Sequence, residues 1–198
     1  MKSSGYWVCH EDDVRIRLVN EDKIFRDIEG LRNPQRLARL ETERVVSLCL
    51  RGPKMERVLD VGTGSGVFAE GFARLDLAVT GIDVQGPMLE AAQRFVPKAH
   101  FQIASSEVLP FDDDSFDLVF LGLVLHETHD PGRTLQEAHR VCALRTAVLE
   151  WPHAKQNIGP PLEHRLRAED VLRLAEASAF SRMRTIPLNE LILFLLDK

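Results

Sequence analysis

Short apolar runs alternate along the chain with segments in which apolar residues recur every three or four positions. Short continuous runs are typical of buried strands, and the wider spacing is typical of helices that pack through one face. The runs predict strands at 58–61, 78–83, 99–104, 116–125, 146–149, 183–187 and 191–196. Helices are predicted between them, so the expected fold class is α/β, a doubly wound sheet with helices on both faces.

Two of the predicted helices begin with the same signal, a capping side chain followed by proline. Asn33-Pro34 starts a helix that is expected to run to the Gly52-Pro53 break, and Asp130-Pro131 starts another through Val141. Further helices are predicted at 67–75, 86–95 and 169–179.

The stretch after the first predicted strand carries glycine at alternate positions, Gly62, Gly64 and Gly66. Glycine permits a sharp turn and lets a ligand approach the bare backbone. Strand, glycine turn and helix together predict a nucleotide-type site, with Asp83 at the end of the second strand placed to bind a ribose diol. The spacing is G-x-G-x-G and not the G-x-G-x-x-G of dinucleotide-binding folds, which argues against a nicotinamide-dependent oxidoreductase.

Three blocks of the sequence carry a resemblance to a known family. They are VLDVGTGSG, GIDVQGPMLEAAQ and SSEVLPFDDDSFDLVFLGLVLHETHDPGRTLQEAHRV. In order and spacing they resemble the motifs of class I S-adenosylmethionine-dependent methyltransferases of the ubiquinone/menaquinone-biosynthesis type. The resemblance runs from about residue 31 to the end of the chain. It implies a mostly parallel, Rossmann-like sheet of seven strands, with the last strand antiparallel between the fifth and the sixth.

The resemblance also implies a cofactor, S-adenosyl-L-methionine, with S-adenosyl-L-homocysteine as its product. In such proteins the glycine loop approaches the methionine part of the cofactor and the acid of the second strand holds the ribose. Ser105-Ser106 aligns with an Asp-Ala pair that contacts adenine, so a serine stands here in place of the acid. The residues expected to bind the cofactor are Asp60, Gly62, Thr63, Gly64, Gly66, Asp83, Val84, Ser105, Ser106, Glu107 and Leu121.

His126 and Glu127 are the catalytic candidates, because they follow the fourth strand on the side where the methyl group should point. An imidazole with a pKa of about 6.5 suits removal of a proton from a hydroxyl or amine. A hydrogen-bonded structural role at the strand exit is the alternative for His126, and Glu150 is a further candidate base. Since methyl transfer from a sulfonium is an in-line displacement, positioning and exclusion of water can supply most of the rate without a base.

The predicted function is therefore methyl transfer to a small-molecule acceptor. The alternative is a non-catalytic protein that binds the same cofactor as a partner or regulatory protein. The net charge of −5 argues against broad nucleic-acid binding. No metal site is predicted, because neither the histidines of 126–129 nor the acids of 112–114 have the spacing of metal ligands.

Cysteine usage and hydropathy predict a cytoplasmic protein without a membrane segment. Cys9, Cys49 and Cys142 form no C-x-x-C pair, which favours reduced thiols over a disulfide framework. The strongly apolar runs are too short to cross a bilayer.

Three segments leave structural questions. Residues 1–30, which contain Tyr6 and Trp7, precede the predicted methyltransferase domain of residues 31–198. They either cover the active site or pack on the sheet edge. Residues 141–145 replace a Lys-Pro-Gly-Gly turn common in the family, which predicts a shorter turn far from the cofactor. Residues 151–165, with Trp151, His153, Glu163, His164 and Arg165, are expected to help shape the acceptor pocket.

Overall fold

The computed structural model describes residues 28–198, which are built around one seven-stranded sheet. The strands are β1 (Arg57–Val61), β2 (Ala78–Asp83), β3 (His100–Ile103), β4 (Phe116–Gly122), β5 (Cys142–Glu150), β6 (Arg182–Pro187) and β7 (Ile192–Asp197). Their order across the sheet is β3-β2-β1-β4-β5-β7-β6. The first five strands are parallel, and β7 runs antiparallel to both β5 and β6. The predicted fold class, including the antiparallel last strand, is confirmed.

Helices connect the strands and cover the sheet. They are α1 (Ile28–Leu31), α2 (Pro34–Leu40), α3 (Thr42–Cys49), α4 (Val67–Ala73), α5 (Gly86–Phe95), α6 (Pro131–Val141) and α7 (Ala168–Ala177). Short 3-10 turns occur at Leu125–Glu127 and Leu162–His164. Pro34 and Pro131 begin their helices behind the capping side chains of Asn33 and Asp130, as predicted.

The single helix predicted from Pro34 to Gly52 is wrong, because the chain breaks at Glu41. Glu41 adopts the left-handed conformation with φ of 46°, which costs a residue with a side chain about 1–2 kcal/mol. Its carboxylate accepts hydrogen bonds from the Asn189 amide at 2.8 Å and from Arg44 at 2.6 Å. These contacts offset the backbone cost and separate α2 from α3.

The hydrophobic core lies on both faces of the sheet. On one face, Phe68 and Phe72 of α4 pack against Phe120 of β4, with ring centroids 4.5 and 5.5 Å apart. Helix α3 covers the same face. On the other face, Leu135 of α6 and Val171 of α7 close a second buried cluster. Full burial of side chains of this size contributes about 1.5–3 kcal/mol each, so the sheet forms a rigid frame for the loops at its edge.

Strand β5 begins earlier than predicted. The turn expected at 141–145 is absent, because α6 leads directly into β5 at Cys142. Arg145 lies inside the strand, where its guanidinium donates to Asp197 Oδ1 at 2.6 Å and to the carbonyl of Cys49 at 2.8 Å. An arginine is tolerated in a buried strand when its charge is paired and its donors are satisfied.

The described residues reach only the end of the N-terminal segment. Of residues 1–30, Ile28 to Gly30 form most of α1, and the predictions for Tyr6, Trp7 and Cys9 lie outside the described residues. Within residues 28–198, no helix is both long enough and apolar enough to cross a membrane. The carboxyl ends of β1, β2, β4 and β5 meet at one edge of the sheet, where ligands of open α/β sheets bind.

Candidate functional site

The glycine loop follows β1 and takes a conformation that requires glycine. Gly62, Gly64 and Gly66 all have positive φ, at 63°, 53° and 77°. A Cβ added at Gly62 would lie 2.5 Å from Val124 Cγ2. Real Cβ atoms do not come this close to another atom. The loop therefore leaves bare backbone against the segment that follows β4.

Asp60 braces this loop from below. Its carboxylate is buried, and Oδ2 accepts from the Thr63 hydroxyl at 2.6 Å and from the Ala69 amide at 3.1 Å. Burial raises the pKa of Asp60 to about 7, and the two hydrogen bonds oppose the rise. Asp60 thus ties β1 to the loop and to the first turn of α4.

Asp83, at the end of β2, is joined to the glycine loop by its carboxylate. Oδ2 accepts from the Gly64 amide and Oδ1 accepts from the Gln85 amide, both at 2.9 Å. Burial raises the pKa of Asp83, while these amides stabilise the charged form. Each carboxylate oxygen has a second lone pair, so a ligand diol can still be accepted. Val84 follows, partly exposed on the same wall.

Ser105, Ser106 and Glu107 form the next wall and are held mainly by one another and by α6. The Ser105 hydroxyl accepts from the Glu107 amide, and the Ser106 hydroxyl lies 3.2 Å from that of Thr134. Glu107 Oε1 accepts from the amides that precede α6, at 2.9 and 3.0 Å. The Glu107 carboxylate therefore shapes this wall through contacts with protein backbone.

His126 sits in the 3-10 turn after β4 and is fixed by Glu150, at the end of β5. The imidazole Nδ1 lies 2.7 Å from Glu150 Oε2, and the His126 amide donates to Glu150 Oε1 at 3.1 Å. Both side chains are buried. The other ring nitrogen, Nε2, lies 3.9 Å from Glu127 Oε1. Glu150, considered as a base from the sequence, thus acts on the orientation of His126.

Glu127 differs from the other carboxylates of the site, because its side chain accepts no hydrogen bond within residues 28–198. The 3.9 Å contact with His126 Nε2 is too long for one. Burial raises the pKa of Glu127 to about 7. The positive charge of His126 and Arg36 opposes the rise, and the negative charge of Glu150 and Asp83 adds to it. A carboxyl group with such a pKa can exchange a proton near neutral pH.

One wall of the site comes from the loop after β5. Trp151 packs so tightly under Gly159 that a Cβ there would lie 2.8 Å from the indole ring. Gly159, Pro160, Pro161 and His164 line the same wall. His153 and Glu163 are exposed and do not line it. That Trp151 and His164 shape an acceptor pocket stays a prediction.

These walls enclose one cavity of about 600 Å³. The predicted residues that line it are Asp60, Gly62, Thr63, Gly64, Asp83, Val84, Ser105, Ser106, Glu107, His126 and Glu127. Leu121 does not line it. Its side chain is fully buried in the core, and the adjacent Gly122 faces the cavity instead. Gly66 caps α4 against Ala92 outside the cavity. Among residues 28–198, no three potential metal ligands are grouped to hold an ion.

Ser65 and Arg36 are among the cavity residues that were missed from the sequence. Ser65 belongs to the glycine loop, and that position was a signal that could have found it. Arg36 falls in a segment that reads as an ordinary amphipathic helix, so nothing local distinguishes it from other surface arginines.

Comparison with known proteins relates part of the chain to methyltransferases. A family described as a methyltransferase domain matches residues 59–145. The chain is 37% identical over 93 residues to the demethylmenaquinone methyltransferase of Chlorobaculum tepidum. The aligned region covers 46% of this chain and 38% of that protein. The chain spans between 38% and 53% of the length of such curated relatives.

Solved structures share the fold. A SAM-dependent methyltransferase from Aquifex aeolicus superposes with a TM-score of 0.77 at 24% identity, over 86% of this chain and 96% of that one. The [4+2]-cyclase SpnF superposes with a TM-score of 0.65 at 24% identity, over 78% of this chain and 62% of that one. The resemblance to methyltransferases is confirmed over the matched residues by the domain family and by the named relatives, and the solved structures confirm the fold.

The residues present fit this cofactor. The Ser65 hydroxyl is buried at the cavity and has no hydrogen-bond partner within residues 28–198, which is unusual for a buried polar atom. Asp83 offers a carboxylate to the same space, and Gly62 leaves no side chain between backbone and ligand. A ligand with polar groups placed to meet the Ser65 hydroxyl and the Asp83 carboxylate would satisfy these atoms.

Proposed function

We propose that the protein transfers a methyl group from S-adenosylmethionine to a small-molecule acceptor. The observation that carries this proposal is the continuity of the cavity. The same space is lined by the glycine loop and Asp83, which would hold the cofactor, and by His126 and Glu127, which would face the acceptor. Such an arrangement lets a cofactor and an acceptor lie against one another within a protein-lined volume, as an in-line displacement requires.

At the cofactor end, the protein's contribution is binding and orientation. The amides and hydroxyl of the loop from Gly62 to Ser65 would hold the amino-acid part, and Asp83 would accept from the ribose hydroxyls. Ser105 and Ser106 would bound the adenine, with Ser105 accepting from its amino group without the help of a charge. When bound, S-adenosylmethionine supplies a sulfonium-activated methyl group whose carbon–sulfur bond breaks as the acceptor attacks.

At the acceptor end, Glu127 would accept the proton that a hydroxyl or amine loses as it is methylated. The pKa of about 7 means that a substantial fraction of Glu127 is ionised at neutral pH and able to act as the base. His126, held by Glu150, would keep one side of Glu127 in place through Nε2, 3.9 Å away. The proton then leaves Glu127 for solvent when the product departs.

Calorimetry with S-adenosylhomocysteine and with NAD tests the cofactor assignment directly. The homocysteine derivative is expected to bind and NAD is not, because the glycine loop has the shorter spacing. Binding of NAD alone would contradict the proposal and favour an oxidoreductase.

Catalysis needs a separate measurement, because a non-catalytic protein could bind the same cofactor. The cyclase with this fold shows that the architecture by itself does not determine methyl transfer. The protein would be incubated with S-adenosylmethionine and a mixture of small metabolites, and S-adenosylhomocysteine would be measured by mass spectrometry. Formation above the level of a control without protein is expected. Formation no higher than in that control would favour the non-catalytic alternative.

The predicted setting of the protein forms part of the proposal. We place it in the cytoplasm, acting without nucleic acid or a membrane as partner. The net charge of −5 supports the expectation that nucleic acid is not a partner. Cys49 and Cys142 are free and buried, and burial raises the pKa of Cys49 to about 12 and that of Cys142 above its ordinary value. Such thiols are inert packing groups, as expected in a reducing compartment.

A further inference from the structure

Arg36 lines the cavity, and its guanidinium has few partners among residues 28–198. It lies half-buried on α2, and Nη1 donates to the carbonyl of Leu31 at 3.0 Å. Within residues 28–198 this is its single hydrogen bond, and no carboxylate lies within ion-pair distance of it. A guanidinium carries five donors in a planar fork, so most of the binding capacity of Arg36 is left to a ligand.

Three other buried or half-buried arginines of the domain lie beside carboxylates, and the guanidinium of the buried Arg165 donates to four backbone carbonyls instead. Arg32 lies 2.7 Å from Glu70, Arg145 lies 2.6 Å from Asp197, and Arg140 lies 2.8 Å from Glu137. Burial lowers the pKa of Arg36, with Glu127 acting in the opposite direction from a distance. A desolvated cation without a counter-ion is unfavourable in the folded protein. An anionic ligand would remove that penalty.

Arg36 lines the same cavity as the proposed base, Glu127. Glu127, the proposed base, is the carboxylate that acts on Arg36 electrostatically. Leu40, from the next turn of the same helix, and Trp151, after β5, add apolar surface to the cavity. Cation, base and apolar wall together match one kind of molecule, an apolar body that carries a negative charge and a nucleophile.

We propose that the methyl acceptor carries a carboxylate, which binds Arg36 in bidentate fashion while its hydroxyl or amine faces Glu127. This inference rests on the proposed methyl-transfer function and names the chemical class of its acceptor. The planar fork of arginine matches a carboxylate better than a point charge does. The methionine carboxylate of the cofactor is the other source of the same chemistry, and the experiment must separate the two.

Benzoate and benzamide are suitable probes, since they share shape and differ in charge. Their binding to the full chain would be measured by calorimetry at pH 7.5, with and without saturating S-adenosylhomocysteine. The parent protein is expected to bind benzoate at least about tenfold more tightly than benzamide, as hydrogen bonds between charged groups predict. Arg36→Met should remove this preference, and Arg36→Lys should keep part of it.

Arg39→Met is the matched control. Arg39 lies on the same helix, is 3.5 Å from Glu190 and does not line the cavity, so its replacement should leave the benzoate preference unchanged. Thermal melts of all variants would check that each is folded.

Two results would overturn the inference. One is a parent protein that binds benzoate no better than benzamide. The other is an Arg36→Met protein that keeps the preference but binds S-adenosylhomocysteine about tenfold more weakly, which would assign Arg36 to the cofactor. Failure of the parent to bind S-adenosylhomocysteine concerns the proposed function instead, and the benzoate measurement without cofactor distinguishes that case.

Discussion

At the scale of single residues, three carboxyl groups with raised pKa border the cavity and have different tasks. Asp60 accepts hydrogen bonds from Thr63 and from the start of α4, and Asp83 accepts one from the glycine loop. Glu127 has no hydrogen bond of this kind within the described part of the chain. Burial raises the pKa of all three carboxyl groups. What distinguishes a structural carboxylate from a catalytic one is therefore whether it already accepts hydrogen bonds from the protein.

Glu127 should make both activity and stability depend on pH. Its folded-state pKa of about 7 lies above the ordinary 4.5, so the folded protein holds a proton that the unfolded chain has lost. The contribution of Glu127 to the free energy of unfolding therefore falls as pH rises from about 4.5 to about 7. The methyl-transfer rate should rise over the upper part of this range, because the ionised form is the base.

Glu127→Gln is expected to lower turnover by about 10²–10⁴-fold and to flatten the pH profile near 7. It should also make unfolding less dependent on pH between these values. Glu163→Gln, at an exposed position outside the cavity, is the control. A pH–rate profile that stays unchanged in E127Q would exclude Glu127 as the base.

Asp83→Ala should weaken binding of S-adenosylhomocysteine by about tenfold to hundredfold, measured by calorimetry. The reason is the loss of acceptors for the ribose, together with loss of the contact that holds the Gly64 amide at 2.9 Å. Asp83→Asn should cost less, because an amide oxygen still accepts. Thermal melts without ligand would show whether weaker binding comes from a disordered loop or from the lost contact with the ribose. If D83A binds S-adenosylhomocysteine as tightly as the parent protein, the ribose assignment is contradicted.

At the scale of elements, the parts that could be predicted are those whose cause is local. Apolar runs gave the strands, and the Asn33 and Asp130 caps gave two helix starts. The break at Glu41 and the early start of β5 escaped prediction, because their causes are distant. Asn189 stabilises the first, and Asp197 satisfies Arg145 in the second. Arg36 was missed for the same reason, since its place at the cavity depends on the packing of α2.

Arg165 shows the same dependence on tertiary contacts, and it organises the loop of residues 152–161. Its guanidinium lies 5.4 Å from the centre of the Trp151 ring and is buried. It donates to the backbone carbonyls of Pro152, Ala154, Ile158 and Pro160, at 3.2, 2.9, 2.6 and 2.9 Å. One side chain thus fixes the loop that forms the Trp151 wall of the cavity.

Arg165→Met should loosen this loop without unfolding the sheet. Because each lost hydrogen bond to a charged donor is worth about 1.5–3 kcal/mol, trypsin should cut at the exposed Lys155 about tenfold faster or more. Mass spectrometry of timed digests would measure the rate. Arg167→Met is the control, since Arg167 is exposed and 3.8 Å from Glu169. Equal cleavage in the two variants would argue against the organising role.

At the scale of the whole molecule, the cavity depends on the first helices, α1 and α2, more than the sheet does. The buried clusters on both faces of the sheet are built from residues that begin at Leu40. The cavity, in contrast, also uses Leu31 and Arg36, which lie close after the N-terminal segment. Leu31 reaches the glycine loop, where a Cβ on Gly64 would lie 3.3 Å from Leu31 Cδ1. The site therefore depends on α1 and α2 more than the fold does.

Deletion of residues 1–27 tests whether the N-terminal segment covers the site, as one of the two interpretations of the sequence proposes. We expect the truncated protein to keep its sheet, because the two buried clusters on the sheet begin at Leu40, and to bind S-adenosylhomocysteine about tenfold more weakly or to lose turnover. Circular dichroism and melts would report the fold, and calorimetry the affinity. Deletion of residues 1–5, which keeps Tyr6 and Trp7, is the matched control and should behave as the full chain. If the longer deletion also leaves affinity and turnover unchanged, the segment does not cover the site, and α1 and α2 form that wall without it.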